Sequence, residues 1–246
     1  MNQPAFEVLR RDARGPFVIL CDHASNHIPA ELNALGLDPA NLARHIAWDI
    51  GAAGVARELT HLFDSTAILC GTSRLVVDCN RHPGAADLIP EVSDATTIPG
   101  NQNLAEQAKH SRIDRWFTSY HNEIEGVLDA RVKPFVLSIH SMTPVLAGVP
   151  RPWQISLSSH TDRSLVEPLL AALRRPGDIT VGDNQPYDLD PAFDYTIPFH
   201  AMRRNLPYLQ VEFRQDEVAD AQGQAAWARR LAAALPSVLP ISLQSW

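Results

Sequence analysis

Three residues in this chain have the types and positions that metal-assisted hydrolysis requires. His23 and His140 close two short apolar runs, Phe17-Val18-Ile19-Leu20-Cys21-Asp22 and Phe135-Val136-Leu137-Ser138-Ile139, and Glu212 closes a third, Tyr208-Leu209-Gln210-Val211. Open α/β sheets bind ligands in the crevice outside the carboxyl ends of their strands. Two imidazoles and a carboxylate brought to that edge could hold a divalent cation and take a proton from water. In Leu209–Phe213 the apolar side chains face one way while Gln210 and Glu212 face the other. A carboxylate buried in a central strand is costly unless something partners it. Glu212 is therefore either a general base or the structural salt-bridge partner of Arg214 two residues on.

A third metal ligand has two candidates. Asn26 follows His23 by three residues, where many zinc hydrolases place a carboxylate, but its amide oxygen is a weaker, neutral donor. Asp49, in Ala47-Trp48-Asp49-Ile50-Gly51, is an unusual acid for a plain solvated helix face. It could ligate the cation or orient a ligating histidine. Arg74 and Asp78-Cys79-Asn80-Arg81 form a further element, because a guanidinium beside an amide makes a carboxylate clamp. The remaining histidines, among them His27, His45, His82 and His200, are weaker candidates.

The elements that must carry these groups alternate along the chain. Strands are expected at 17–22, 67–70, 75–78, 135–140, 154–158, 179–182 and 208–213. A helix is expected from the Asp38 cap and Pro39 through Leu42, Ile46, Ile50 and Ala53 to about Leu62. Further helices are expected near 103–130, 162–174 and 224–235. Residues 83–101, 144–152 and 183–207 read as loops, and long loops often line binding sites. The strands are continuous apolar runs, which suits a sheet covered on both faces. The expected architecture is one three-layer α/β/α domain over 1–246, with a mixed, mostly parallel sheet.

Composition narrows the partners. The chain has 246 residues, 45% of them hydrophobic, enough for a large core without staples. Cys21, Cys70 and Cys79 are too few and too scattered for a disulfide framework or a cysteine zinc site, and read as small core residues of a reducing compartment. A formal net charge of −7 argues against a nucleic-acid partner. No apolar run is long enough for a membrane span, and the N-terminus has no secretory pattern. A cytoplasmic protein acting on a small molecule is the expectation; a homo-oligomer is left open.

At these segments the chain resembles the N-formylglutamate amidohydrolase family, whose fold is related to zinc carboxypeptidases and aspartoacylase. The resemblance rests on Asp22-His23-Ala24-Ser25 with Ile28-Pro29, on Ser73 to Arg81, on Ile139-His140-Ser141 and on Val211-Glu212-Phe213-Arg214. It implies hydrolysis of the amide bond of a short N-acyl amino acid. It also implies Zn2+ held by His23 and His140, Glu212 as catalytic carboxylate, and Asn80 with Arg81 on the substrate carboxylate. Arg74 would steady the oxyanion, and Arg214 joins the substrate-binding candidates. Other N-acyl amino acids or small peptides are the rival substrates. A non-catalytic carboxylate-binding protein is the rival class, favoured by Asn26 standing where the carboxypeptidase pattern has Glu.

Overall fold

The computed structural model describes residues 4–237. Its strands are, in chain order, β1 (Phe6–Leu9), β2 (Phe17–Cys21), β3 (Thr66–Cys70), β4 (Val92–Ser93), β5 (Thr96–Thr97), β6 (Phe135–Met142), β7 (Val145–Leu146), β8 (Val149–Pro150), β9 (Ile155–Ser158), β10 (Val181–Asp183) and β11 (Tyr208–Arg214). Seven of them form one sheet in the order β1-β3-β2-β6-β11-β9-β10, while β4–β5 and β7–β8 are separate small hairpins. β3, β2, β6 and β11 are mutually parallel; β1 and the β9–β10 pair run against them. The sheet is thus mixed and mostly parallel, as the apolar runs imply.

The helices are α1 (Pro39–Leu42), α2 (Ala52–Leu62), α3 (Glu106–Arg112), α4 (Ser119–Asp129), α5 (Val166–Arg174), α6 (Thr196–His200) and α7 (Ala221–Ala234). Phe17, Ile19, Leu137, Ile139, Val211 and Phe213 pack with α2, α5 and α7 on one face of the sheet. Val18, Leu20 and Val136 pack with Tyr120 and Ile124 of α4 and with Leu75–Val77 on the other. Alternation along a strand sends successive side chains to opposite faces. Ser138, His140, Gln210 and Glu212 therefore share the second face, beyond the last apolar residues of β6 and β11. The three cysteines are buried and free.

Two expected elements differ. The helix expected from Asp38 to Leu62 begins as anticipated, with the Asp38 carboxylate accepting from Asn41 N at 2.7 Å. It stops after four residues and resumes only at Ala52. Between the two pieces Asp49 N donates to the His23 carbonyl at 3.0 Å, and Gly51 adopts a left-handed φ of 82°. A Cβ on Gly51 would lie 2.1 Å from the Val218 carbonyl oxygen. The break turns Asp49 inward, where a continuous helix would hold it in register with its neighbours.

The strand expected at 75–78 is likewise a buried turn, with Val76 N donating to Ser73 O at 2.9 Å. Its apolar residues are core residues, but the segment joins no strand of the sheet. Their carbonyls are met instead by side chains: Asn101 Nδ2 reaches Leu75 O at 2.9 Å and Arg112 Nη1 reaches Val76 O at 3.4 Å. This arrangement returns the chain to the sheet edge with Asp78 beside His23.

Candidate active site

The carboxyl ends of β2, β6 and β11 meet at one corner of a cavity of about 340 Å³. His23 follows β2 by two residues, and β6 and β11 are in register with His140 opposite Glu212. The two imidazole rings lie 5.3 Å apart, centroid to centroid. Between them stands Asp49, whose Oδ2 is 3.3 Å from His23 Nδ1 and 3.0 Å from His140 Nδ1. It also accepts from Ser141 N at 3.3 Å. All three residues are buried, and one ligand atom from each lies within 4.8 Å of the others.

The outward nitrogens of both rings have acceptors of their own. His23 Nε2 is 2.8 Å from Asp78 Oδ1. His140 Nε2 is 3.0 Å from Ser138 Oγ, and 3.5 Å from Asp22 Oδ2, which is within ion-pair reach but outside hydrogen-bond geometry. Histidines that ligate a metal through one nitrogen almost always give the other N–H to a carboxylate, carbonyl or water. With Nε2–H given to the outer partners, both Nδ1 atoms face Asp49 and would be the ligating nitrogens once a cation displaces the protons they share with it. Two neutral nitrogens and one carboxylate oxygen are the donor set of an open zinc site. The residues fit such an ion, and the outer partners that would hold their orientation are in place.

Electrostatics follow from that crowding. Burial raises the Asp49 carboxyl, but His23 and His140 overcome it and hold the group far below the usual carboxylate range. Burial likewise opposes the charge on Asp78, which Arg74 and His23 hold well below its ordinary value. Both imidazoles are disfavoured as cations by burial, yet the carboxylates win and raise them: His140 strongly, through Asp22 and Asp49, and His23 through Asp78 and Asp49. Such histidines hold protons that an incoming cation must displace.

Glu212 differs. It is 8% exposed and makes no hydrogen bond or ion pair among the described residues. Burial pushes its carboxyl up to about 7, against the pull of His140. A carboxyl tuned near neutrality can both accept and return a proton at physiological pH. Arg214 is no partner to it: that guanidinium is bound to Asp216 and Glu217 and to the carbonyls of Arg151 and Pro152. Nor does Arg214 line the cavity.

The other expected residues divide. Arg74, Asn80 and Arg81 line the cavity. Arg74 gives Nε and Nη2 to Asp78 at 3.0 and 2.8 Å, and Nη1 to Asp49 at 3.4 Å. The Asn80 oxygen accepts from Tyr195 N and Thr196 N, and its amide nitrogen donates to Asp194. Arg81 pairs with Asp87 at 2.9 Å and lies 3.8 Å from Asp194. Asn26 is not brought to the histidines; its amide nitrogen donates to the Leu42 carbonyl at 2.9 Å. Of the weaker candidates, His45 lines the cavity, whereas His200 is packed against His121 at 2.8 Å. Three participants carry no role in the sequence reading. Asp78 and Asp22 are visible there only as letters of motifs, and Arg151 sits in a loop without periodicity.

A mixed sheet carries at its carboxyl edge a buried His–Asp–His group and, beside it, a carboxyl with no partner among the described residues, an arrangement consistent with a hydrolase. The model of the N-formylglutamate amidohydrolase family matches residues 15–219, and the chain belongs to that family. Among solved structures, a gene product of Agrobacterium tumefaciens is 33% identical, with a TM-score of 0.92 over 96% of this chain and 94% of that one. The N-formylglutamate amidohydrolase of Ralstonia eutropha JMP134 is 20% identical, with a TM-score of 0.67 over 94% of this chain and 95% of that one; at that identity it speaks for the fold. Comparison with curated proteins gives no match. No helix of the described residues is long and apolar enough to cross a membrane.

Proposed function

We propose that this protein hydrolyses the amide bond of a small N-acyl amino acid, with N-formylglutamate the leading substrate, using a divalent cation, zinc by preference, held by His23, Asp49 and His140. The observation that carries this reading is the convergence of both histidine Nδ1 atoms on Asp49 Oδ2, at 3.3 and 3.0 Å, with Glu212 on the strand beside His140. Asp49 supplies a carboxylate where the local spacing offers only the Asn26 amide. That supports a metal-competent site over a binding-only one.

When bound, a zinc ion supplies Lewis acidity to this corner of the cavity. The chain's own groups do the rest. Glu212 takes a proton from the attacking water as its oxygen bonds to the acyl carbon. It returns that proton to the amide nitrogen as the carbon–nitrogen bond breaks, giving a free acid and a free amino acid. Asp78 and Ser138 fix the two rings. Arg74, committed to Asp49 and Asp78, acts first as the residue that positions those carboxylates, with any contribution to an oxyanion coming after. Arg81 adds positive charge for a substrate carboxylate, while the Asn80 side chain shapes the turn that presents it.

The test is release of formate from N-formylglutamate, of acetate from N-acetylglutamate and of free amino acids from a dipeptide by zinc-loaded protein. Glu212→Gln should abolish turnover and retain stoichiometric metal. Hydrolysis of none of these substrates with metal bound would reject the proposal. Preference for the larger acyl group would move the assignment to the rival substrates, other N-acyl amino acids or small peptides.

A further inference from the structure

Three arginines line the cavity: Arg74, Arg81 and Arg151. The first two face carboxylates of the protein itself, Asp49 and Asp78 for Arg74 and Asp87 for Arg81. Arg151 has none among the described residues, although it is only 8% exposed. Its Nη2 donates to the Tyr187 hydroxyl at 2.8 Å, and its Nη1 reaches the Thr143 carbonyl at 3.5 Å, the outer limit of a hydrogen bond. The guanidinium carbon lies 5.2 Å from the Tyr187 ring centroid. A guanidinium carries five N–H donors, so most of its capacity is unspent.

The side chain is also held in place. Arg151 N donates to Pro144 O at 2.8 Å, closing the segment that carries the β7–β8 hairpin. Its carbonyl accepts from Arg214 Nη1 at 3.3 Å. Burying a cation is expensive unless an anion completes it. The tyrosine face compensates in part but cannot fill the planar pair of donors that a carboxylate matches.

We infer that Arg151, oriented by Tyr187, is a carboxylate-recognition subsite of this cavity, taking a carboxylate of the substrate. This rests on the proposed hydrolase reading, and it moves the principal anion contact away from Asn80 and Arg81, whose polar groups are largely engaged within the protein. The subsite explains why a buried cation is placed on the wall of a cavity that several acidic residues also line, among them Asp190 and Asp194. It selects for substrates with a carboxylate in reach and against neutral amides.

Glutarate binding by calorimetry tests the subsite without turnover. In zinc-loaded protein, Arg151→Gln should weaken glutarate at least about tenfold, the loss of a charge-assisted pair worth about 1.4 kcal/mol. Arg151→Lys should fall between the two, because an ammonium keeps the charge and loses the fork. In turnover, the glutamine variant should raise KM for an N-acyl glutamate far more than it lowers kcat. Glutarate affinity unchanged in a folded Arg151→Gln variant, or absent from wild type, would overturn the inference. If the glutamine variant does not fold, the lysine variant decides, and unchanged affinity there overturns it equally. Arg151-dependent glutarate binding with no amide hydrolysis would leave the subsite standing and remove the proposed activity.

Discussion

Replacing Asp78 with Asn preserves the shape of the side chain and removes its charge. Asp78 Oδ1 accepts from His23 Nε2 at 2.8 Å and from Asn80 N at 2.9 Å, while Oδ2 accepts from Arg74 Nε and Nη2 at 3.0 and 2.8 Å. Asparagine offers one acceptor oxygen, so its NH2 group must confront the donors of either His23 or Arg74. Two separable losses follow. Removing the outer partner of a ligating histidine should weaken zinc about 10–100-fold, or about 1.4–2.7 kcal/mol. Breaking a buried ion pair usually costs about 3–5 kcal/mol; Arg74 keeps Asp49 and a quarter of its side-chain exposure, so about 2 kcal/mol is expected in the metal-free protein. Competition with a chromophoric chelator measures the first loss and urea unfolding after chelation the second. Zinc affinity within roughly twofold of wild type would refute the assignment of His23 Nδ1 as the metal-facing nitrogen.

Three further substitutions address the cage and its pH dependence. Asp49→Asn should lower zinc affinity by more than about 100-fold, exceeding the usual effect of outer-shell changes, while Asn26→Ala should leave zinc unchanged and cost about 1 kcal/mol of stability for its bond to Leu42; the reverse ranking in metal titrations would make Asn26 the ligand. Glu212 is held near 7 against an ordinary 4.5, so the folded chain keeps a proton that the unfolded chain has already released. Its contribution is therefore full below about pH 4.5 and lost as pH rises to about 7, an order of 3 kcal/mol. Metal-free wild type should show a falling urea midpoint across that window, and Glu212→Gln a shallower fall; equal slopes would show that burial does not perturb this carboxyl.

Much of this arrangement is legible from the chain alone. Continuous apolar runs mark β2, β3, β6 and β11 because both faces of a central sheet must exclude water. His23, His140 and Glu212 stand out because a polar group ending such a run has to emerge at the sheet edge. The rest depends on tertiary contacts that local patterns do not carry. Leu42, Ile46 and Ile50 satisfy helical spacing, yet the gain from continuing the helix is smaller than that from bringing Asp49 to two imidazoles, and Gly51 supplies the conformation that allows the break. Leu75–Val77 has a strand's composition yet pairs with no strand of the sheet. Asp78 is only a letter of the Asp78–Arg81 motif until His23 is placed across from it. Arg151 carries no signal, since its meaning lies in the lack of a counter-charge among the described residues.

Under the proposed function, the mounting of these groups separates what would break the bond from what would admit the molecule. The cage hangs from adjacent parallel strands and a turn locked by Gly51, where a shifted register would dismantle the whole sheet. Thr143, Leu146, Arg151, Tyr187 and Asp190 belong instead to a small hairpin and an irregular stretch outside the sheet. Changes confined to those peripheral stretches should accordingly alter which molecule is admitted while leaving the cage intact. A library confined to residues 143–151 and 187–194 is where altered selectivity should be sought first.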